Sequence, residues 1–98
     1  MDQVMVFKAL SNKTRLQILH WLKEPAINFP EHSDNYDDGV CVGLIQQKAG
    51  LTQSTVSEYL VILQRAGLVQ STRKGQWTYY KRNEEAFVRL SQMIQSEI

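Results

Sequence analysis

The stretch Thr52-Gln53-Ser54-Thr55-Val56-Ser57-Glu58-Tyr59 concentrates short hydrogen-bonding side chains around a single buried-type residue. These are the groups that read base edges. A glutamine amide can pair with adenine, a carboxylate can accept from the cytosine amino group, and Ser or Thr hydroxyls serve bases or phosphates. Farther along, Arg73-Lys74-Gly75-Gln76 sets two cations and an amide at a glycine turn, the chemistry of phosphate or minor-groove contact. Catalytic parts are missing. There is no nucleophile–base set, no paired carboxylates and no phosphate-cradling glycine loop, since Gly39, Gly43 and Gly50 are isolated, so the expectation is not an enzyme and no cofactor. The single cysteine, Cys41, forbids an internal disulfide and cannot alone build a soft-metal site, which needs two or three thiolates. His20 and His32 have no ligand spacing, so no metal is expected. Cys41 stays a candidate redox or electrophile sensor, although its flanks Val40 and Val42 suggest a buried, inert thiol.

Positioning these residues requires a scaffold, and the hydrophobic periodicity supplies one. Val4, Phe7 and Leu10 fall at helical spacing within 3–10. Ser11 or Asn12 can cap a second helix, Lys13 to Lys23, with Leu16, Leu19 and Leu22 on one stripe, Ile18 beside it and Pro25 beyond its end. Val40-Cys41-Val42 reads as a small strand or the lead-in to a helix over Leu44 to Lys48, which Gly50 stops. Thr52 then caps a helix whose Val56, Leu60 and Leu63 share a face. Between these two helices, Ala49-Gly50-Leu51-Thr52 has the composition of a helix-turn-helix corner, with Leu51 as its expected apolar plug. Leu68 to Thr72 and Trp77 to Arg82 are strand-prone and read as a hairpin turning at Gly75. A last helix, Glu84 to Ile98, carries Phe87, Leu90 and Ile94 on one stripe with Met93 beside it. The predicted architecture is mostly α with a small β-hairpin: a winged helix-turn-helix in one domain, 1–98.

At 98 residues with 43% hydrophobic content, the chain has room for one small core. No apolar run approaches a membrane span, and no secretory signal opens the chain, so the expected setting is cytoplasmic. The formal charge of +1 looks unfavourable for binding nucleic acid until it is sorted along the chain. Residues 24–38 hold five of the ten acids and no Lys or Arg, whereas 39–83 carry six cations against one acid, Glu58. The acidic stretch 25–38 reads as a connecting loop outside the basic unit.

Several segments resemble the ArsR/SmtB-type bacterial repressors. They are Ala9-Leu10-Ser11-Asn12-Lys13-Thr14-Arg15-Leu16-Gln17-Ile18-Leu19, Leu51 to Ser57, Leu63-Gln64-Arg65-Ala66-Gly67-Leu68-Val69 and the wing Lys74 to Tyr80. The resemblance covers nearly everything except the acidic loop. It implies a homodimer that represses transcription from a palindromic double-stranded DNA operator and is released by an effector, here unknown. Thr52, Gln53, Ser54, Thr55, Ser57, Glu58 and Tyr59 would then enter the major groove, and Arg73, Lys74 and Gln76 would hold the wing to DNA. The resemblance also implies dimerisation through the first and last helices, on Val4, Phe7, Phe87, Leu90 and Ile94. Two departures stand out. Glu58, Tyr59 and Val61 replace the basic or imidazole side chains usual after the recognition serine, which implies modest, salt-sensitive affinity. In the family's thiolate motif only Cys41 is retained, with Gly43 and Leu44 at the second cysteine and the acid, and the last helix has neither Asp nor His. The competing reading is a winged-helix module for protein–protein assembly without DNA readout.

Overall fold

A computed structural model describes residues 2–30 and 35–98; the loop residues Glu31, His32 and Asp34 lie outside the described residues. Among those described, six helices and three strands follow in the order α1 (Gln3–Leu10), α2 (Lys13–Lys23), α3 (Pro25–Asn28), β1 (Val40–Cys41), α4 (Val42–Ala49), α5 (Gln53–Arg65), β2 (Val69–Lys74), β3 (Trp77–Arg82) and α6 (Glu84–Glu97). No helix among them is long and apolar enough to cross a membrane.

Helix starts are dictated by polar side chains that satisfy otherwise orphaned backbone donors. Asp2 accepts from the Met5 amide at 3.0 Å, Asn12 from Arg15 at 2.9 Å, Thr52 from Thr55 at 3.3 Å and Asn83 from Ala86 at 3.4 Å. The cap on α2 is therefore Asn12, not Ser11. Pro25 follows the end of α2 and opens the one-turn α3, where its fixed φ suits the first helical position. The segment expected as uniform loop thus begins with a helical turn.

The innermost core takes one side chain each from α1, α2, β1 and α4, three from α5 and Leu68 just beyond it: Val6, Ile18, Val40, Ile45, Val56, Leu60, Leu63 and Leu68 are essentially inaccessible. Two expected stripes are rotated. In α1 the buried residues are Val6 and Ala9, while Val4 stands 63% exposed. In α2 Ile18, Leu19 and Leu22 are buried, but Leu16 is 49% exposed, because the inward face runs through Ile18 rather than through a straight i, i+3 row.

The sheet has order β1-β3-β2, antiparallel throughout, with Cys41 opposite Tyr79 and Lys74 opposite Trp77. Val40-Cys41 is both strand and lead-in, since α4 begins at the next residue. Lys74 and Trp77 are joined by Gly75-Gln76, where Gly75 adopts φ +61° as a two-residue hairpin turn requires. Just before β1, Gly39 has φ +103°, and a Cβ there would sit 2.1 Å from the Tyr80 carbonyl oxygen. Only glycine lets the chain pass this close to β3, and the contact fixes where residues 37 and 38 lie just before β1.

Candidate nucleic-acid interface

Helices α4 and α5 form the helix-turn-helix. Gly50 ends α4 in the left-handed region, its amide donating back to the Gln46 and Gln47 carbonyls, and Thr52 restarts the chain as α5. Leu51 does not plug the corner: it is 37% exposed, and the turn is closed by backbone hydrogen bonds.

The α5 N-terminus carries the polar cluster. Thr52, Gln53, Ser54 and Glu58 are exposed, with Thr55 and Ser57 partly so. The Thr52 hydroxyl donates to Thr55 Oγ1 at 2.9 Å and lies 3.3 Å from Ser54 Oγ, so the start of the helix is preorganised. The positive end of the α5 dipole also points outward here, which favours an anionic partner. Tyr59 does not belong to this face. It is half-buried against the core, and the Arg15 guanidinium lies 5.4 Å from its ring centroid. Arg15 meanwhile donates to the Ala9 and Lys8 carbonyls at 2.7 and 3.0 Å, tying the end of α1 to α5.

On the wing, Arg73, Lys74 and Gln76 are exposed at the tip beside Trp77, which is 54% exposed. Arg73 Nε donates to the Gly75 carbonyl at 3.2 Å, folding this cation over its own turn. Lys74 forms an ion pair with Asp38, and Lys81 Nζ donates to the Asp37 carbonyl at 3.3 Å. The hydrogen bond and charge of Asp38 raise Lys74 above the ordinary lysine pKa. The acidic stretch is therefore not outside the basic unit; its last residues lie on the wing. Other basic residues are also engaged: Arg82 pairs with Glu84 at 2.9 Å and stacks 3.8 Å over Phe87, and Lys48 sits over Trp21 and Phe29. The local cation excess overstates the charge offered to a polyanion. The Lys48 and Arg15 aromatic partners and the Asp38 contact are long-range and have no local sequence signal, whereas Arg82 meets Glu84 and Phe87 within five residues.

Residues 40–71 match the sequence pattern of the bacterial regulatory protein arsR family. Over 100 aligned positions, covering all of both chains, the sequence is 53% identical to the HTH-type transcriptional regulator YbzH of Bacillus subtilis (strain 168). The chain belongs to the ArsR family. This ArsR-family chain is also 32% identical to the transcriptional repressor SdpR of B. subtilis over 78 residues, covering 80% of this chain and 72% of SdpR. Among solved structures, the homodimeric winged helix-turn-helix DNA-binding domain Mb0332 of Mycobacterium bovis superposes with a TM-score of 0.67 at 32% identity, covering 94% of this chain and 73% of that one. The ArsR-family chain is thus a transcriptional regulator with a winged helix-turn-helix fold, a class of binding proteins rather than enzymes.

Around this unit, the residues expected at a subunit boundary divide. Leu90 is buried in the chain's own core, while Phe7 and Phe87 are half-buried against it. Val4 and Ile94 are 63% and 46% exposed, on helices that Gln3 Nε2 and Glu97 Oε1 link at 3.2 Å. Cys41 is half-buried on β1 opposite Tyr79, more accessible than its apolar flanks suggested. No group of three His, Cys, Asp or Glu among the described residues is placed to hold a metal ion.

Proposed function

We propose that this ArsR-family chain is a homodimeric repressor that reads a palindromic operator and is released by a signal other than a thiolate-bound metal. The observation that carries the DNA reading is the exposed, prearranged face Thr52-Gln53-Ser54-Thr55 at the start of α5, flanked by a wing tip bearing Arg73, Lys74 and Gln76. Such a helix start fits the major groove and such a tip fits the flanking backbone. Ser57 and Glu58 extend the reading face by one turn; Tyr59 supports it from behind. The Mb0332 domain is a homodimer by name, and Val4 and Ile94 are exposed, with Phe7 and Phe87 half-buried, on the first and last helices, apolar side chains available to a second copy. A two-fold pair would present two identical reading helices, hence a palindromic site. Repression needs only occupancy of the promoter, and SdpR is a repressor by name.

A gel-shift and footprint on the promoter of its own operon, at stated salt, tests the reading. A protected palindrome and lower transcript output with added protein are expected. No sequence-selective shift on any genomic fragment would sink it and favour a protein-assembly module. Cys41→Ser should leave operator release by oxidants or by arsenite unchanged, as titrated release assays would show; loss of release would reinstate Cys41 as the sensor.

A further inference from the structure

Two features converge on the outer face of the wing. The sheet register puts Thr72, Lys74, Trp77 and Tyr79 on one side, and Val40, Val69 and Tyr80 on the core side. Residues 37–38 reach that outer side from the acidic stretch, and their approach is set by Gly39, whose close passage over the Tyr80 carbonyl leaves no room for a Cβ. Asp38 consequently meets Lys74 through its carboxylate, whereas Asp37 meets Lys81 only through its main-chain carbonyl.

We propose that Asp38 is an affinity-setting residue: it occupies the Lys74 ammonium as an internal stand-in for a DNA phosphate, and binding requires Lys74 to exchange one partner for the other. This rests on the reading of the wing as a DNA contact. The carboxylate and a phosphate oxygen are both anionic acceptors for the same ammonium, so they compete for it. The pair is solvent-exposed, which keeps it weak enough to open. Because the segment is pinned at Gly39, the competitor is held at high effective concentration rather than supplied by a wandering loop. The exchange lowers the wing's attraction for any duplex by the same factor, so Asp38 sets the absolute affinity and leaves discrimination to the reading helix.

The test is a fluorescence-anisotropy titration of the full chain against two labelled duplexes, the promoter of its own operon and a random-sequence duplex of equal length, from about 50 to 200 mM salt. Asp38→Asn should bind both duplexes about two- to fivefold more tightly at the low-salt end. It should also steepen the slope of log K against log salt by up to about 0.9, one additional cation free to displace counterions. Asp37→Asn, which removes the same charge but keeps its carbonyl contact, should change affinity less. In a Lys74→Ala background, Asp38→Asn should have no effect. Equal gains from Asp37→Asn and Asp38→Asn would reduce the effect to general charge and overturn the proposal. Unchanged or weaker binding by Asp38→Asn, with an unfolding transition matching the parent, would overturn it as well, assigning Asp38 a wing-bracing role. A parent chain that does not distinguish the two duplexes would defeat the operator reading, while the Asp38→Asn comparison on the random duplex would still decide this one. Failure of every variant to bind either duplex would overturn both.

Discussion

On the proposed reading, Ser54 and Lys74 would be two different uses of a polar side chain at a DNA surface. Ser54 is exposed at the first turn of α5, and its hydroxyl lies within 3.3 Å of Thr52 Oγ1, so it is held in place before any partner arrives. Ser54→Ala should weaken operator binding by about 1–3 kcal/mol if it meets a base, and leave random-sequence binding nearly unchanged; parallel titrations on the two duplexes check this. Lys74→Ala should instead weaken both in similar proportion and flatten the salt slope by about one unit or less, since Asp38 already offsets part of its charge. The ion pair also carries a pH sign. Because the Lys74 pKa is raised, its contribution is complete below the ordinary lysine value and is lost only as pH climbs beyond the raised one. Salt titrations of this contact between pH 6 and 8 should therefore superimpose.

Elements whose ends are marked by local chemistry were readable from the sequence alone. Thr52 and Gly50 announce their caps, and Ser11-Asn12 narrows a third to two neighbours, through side-chain or backbone properties that act within three or four residues, and the hairpin follows from two strand-prone runs flanking Gly75. What eluded sequence reasoning depends on contacts between distant segments. Leu16 and Leu51 look like core by type, but Ile18 and the backbone bonds of the turn fill those roles. Tyr59 follows an exposed polar face on α5, yet it packs against the core with Arg15, forty-four positions earlier, over its ring. The Asp38–Lys74 pair requires knowing that residue 39 packs against the Tyr80 backbone of β3. Two glycines separate these cases experimentally. Gly50 has open space around its missing side chain, so Gly50→Ala should cost only its left-handed backbone, about 1 kcal/mol. Gly39→Ala adds a collision with the Tyr80 backbone to the same kind of strain and should cost about 3 kcal/mol or more. Chemical denaturation of both variants gives the difference directly.

At the scale of the whole molecule, the helices at the two ends of the sequence lie together and leave apolar surface at Val4, Met5, Val88 and Ile94. Ile94 is exposed in the single chain, so Ile94→Glu should fold normally. It should shift sedimentation from dimer to monomer and, by removing simultaneous engagement of two half-sites, weaken operator binding by about a hundredfold or more. An unaltered sedimentation coefficient would place the subunit boundary elsewhere. The Arg15 fork acquires a further meaning in such a pair. Arg15 Nε and Nη2 grip the Ala9 and Lys8 carbonyls near the end of α1, and the flat face lies over the Tyr59 ring of α5. A subunit contact on α1 and the proposed DNA reading by α5 would thus be clamped into one lever. In a dimer of this kind the distance between the two proposed reading heads would be gauged by rigid parts, and a lysine at position 15, able to hold only one side of the clamp, would turn a fixed calliper into a loose hinge.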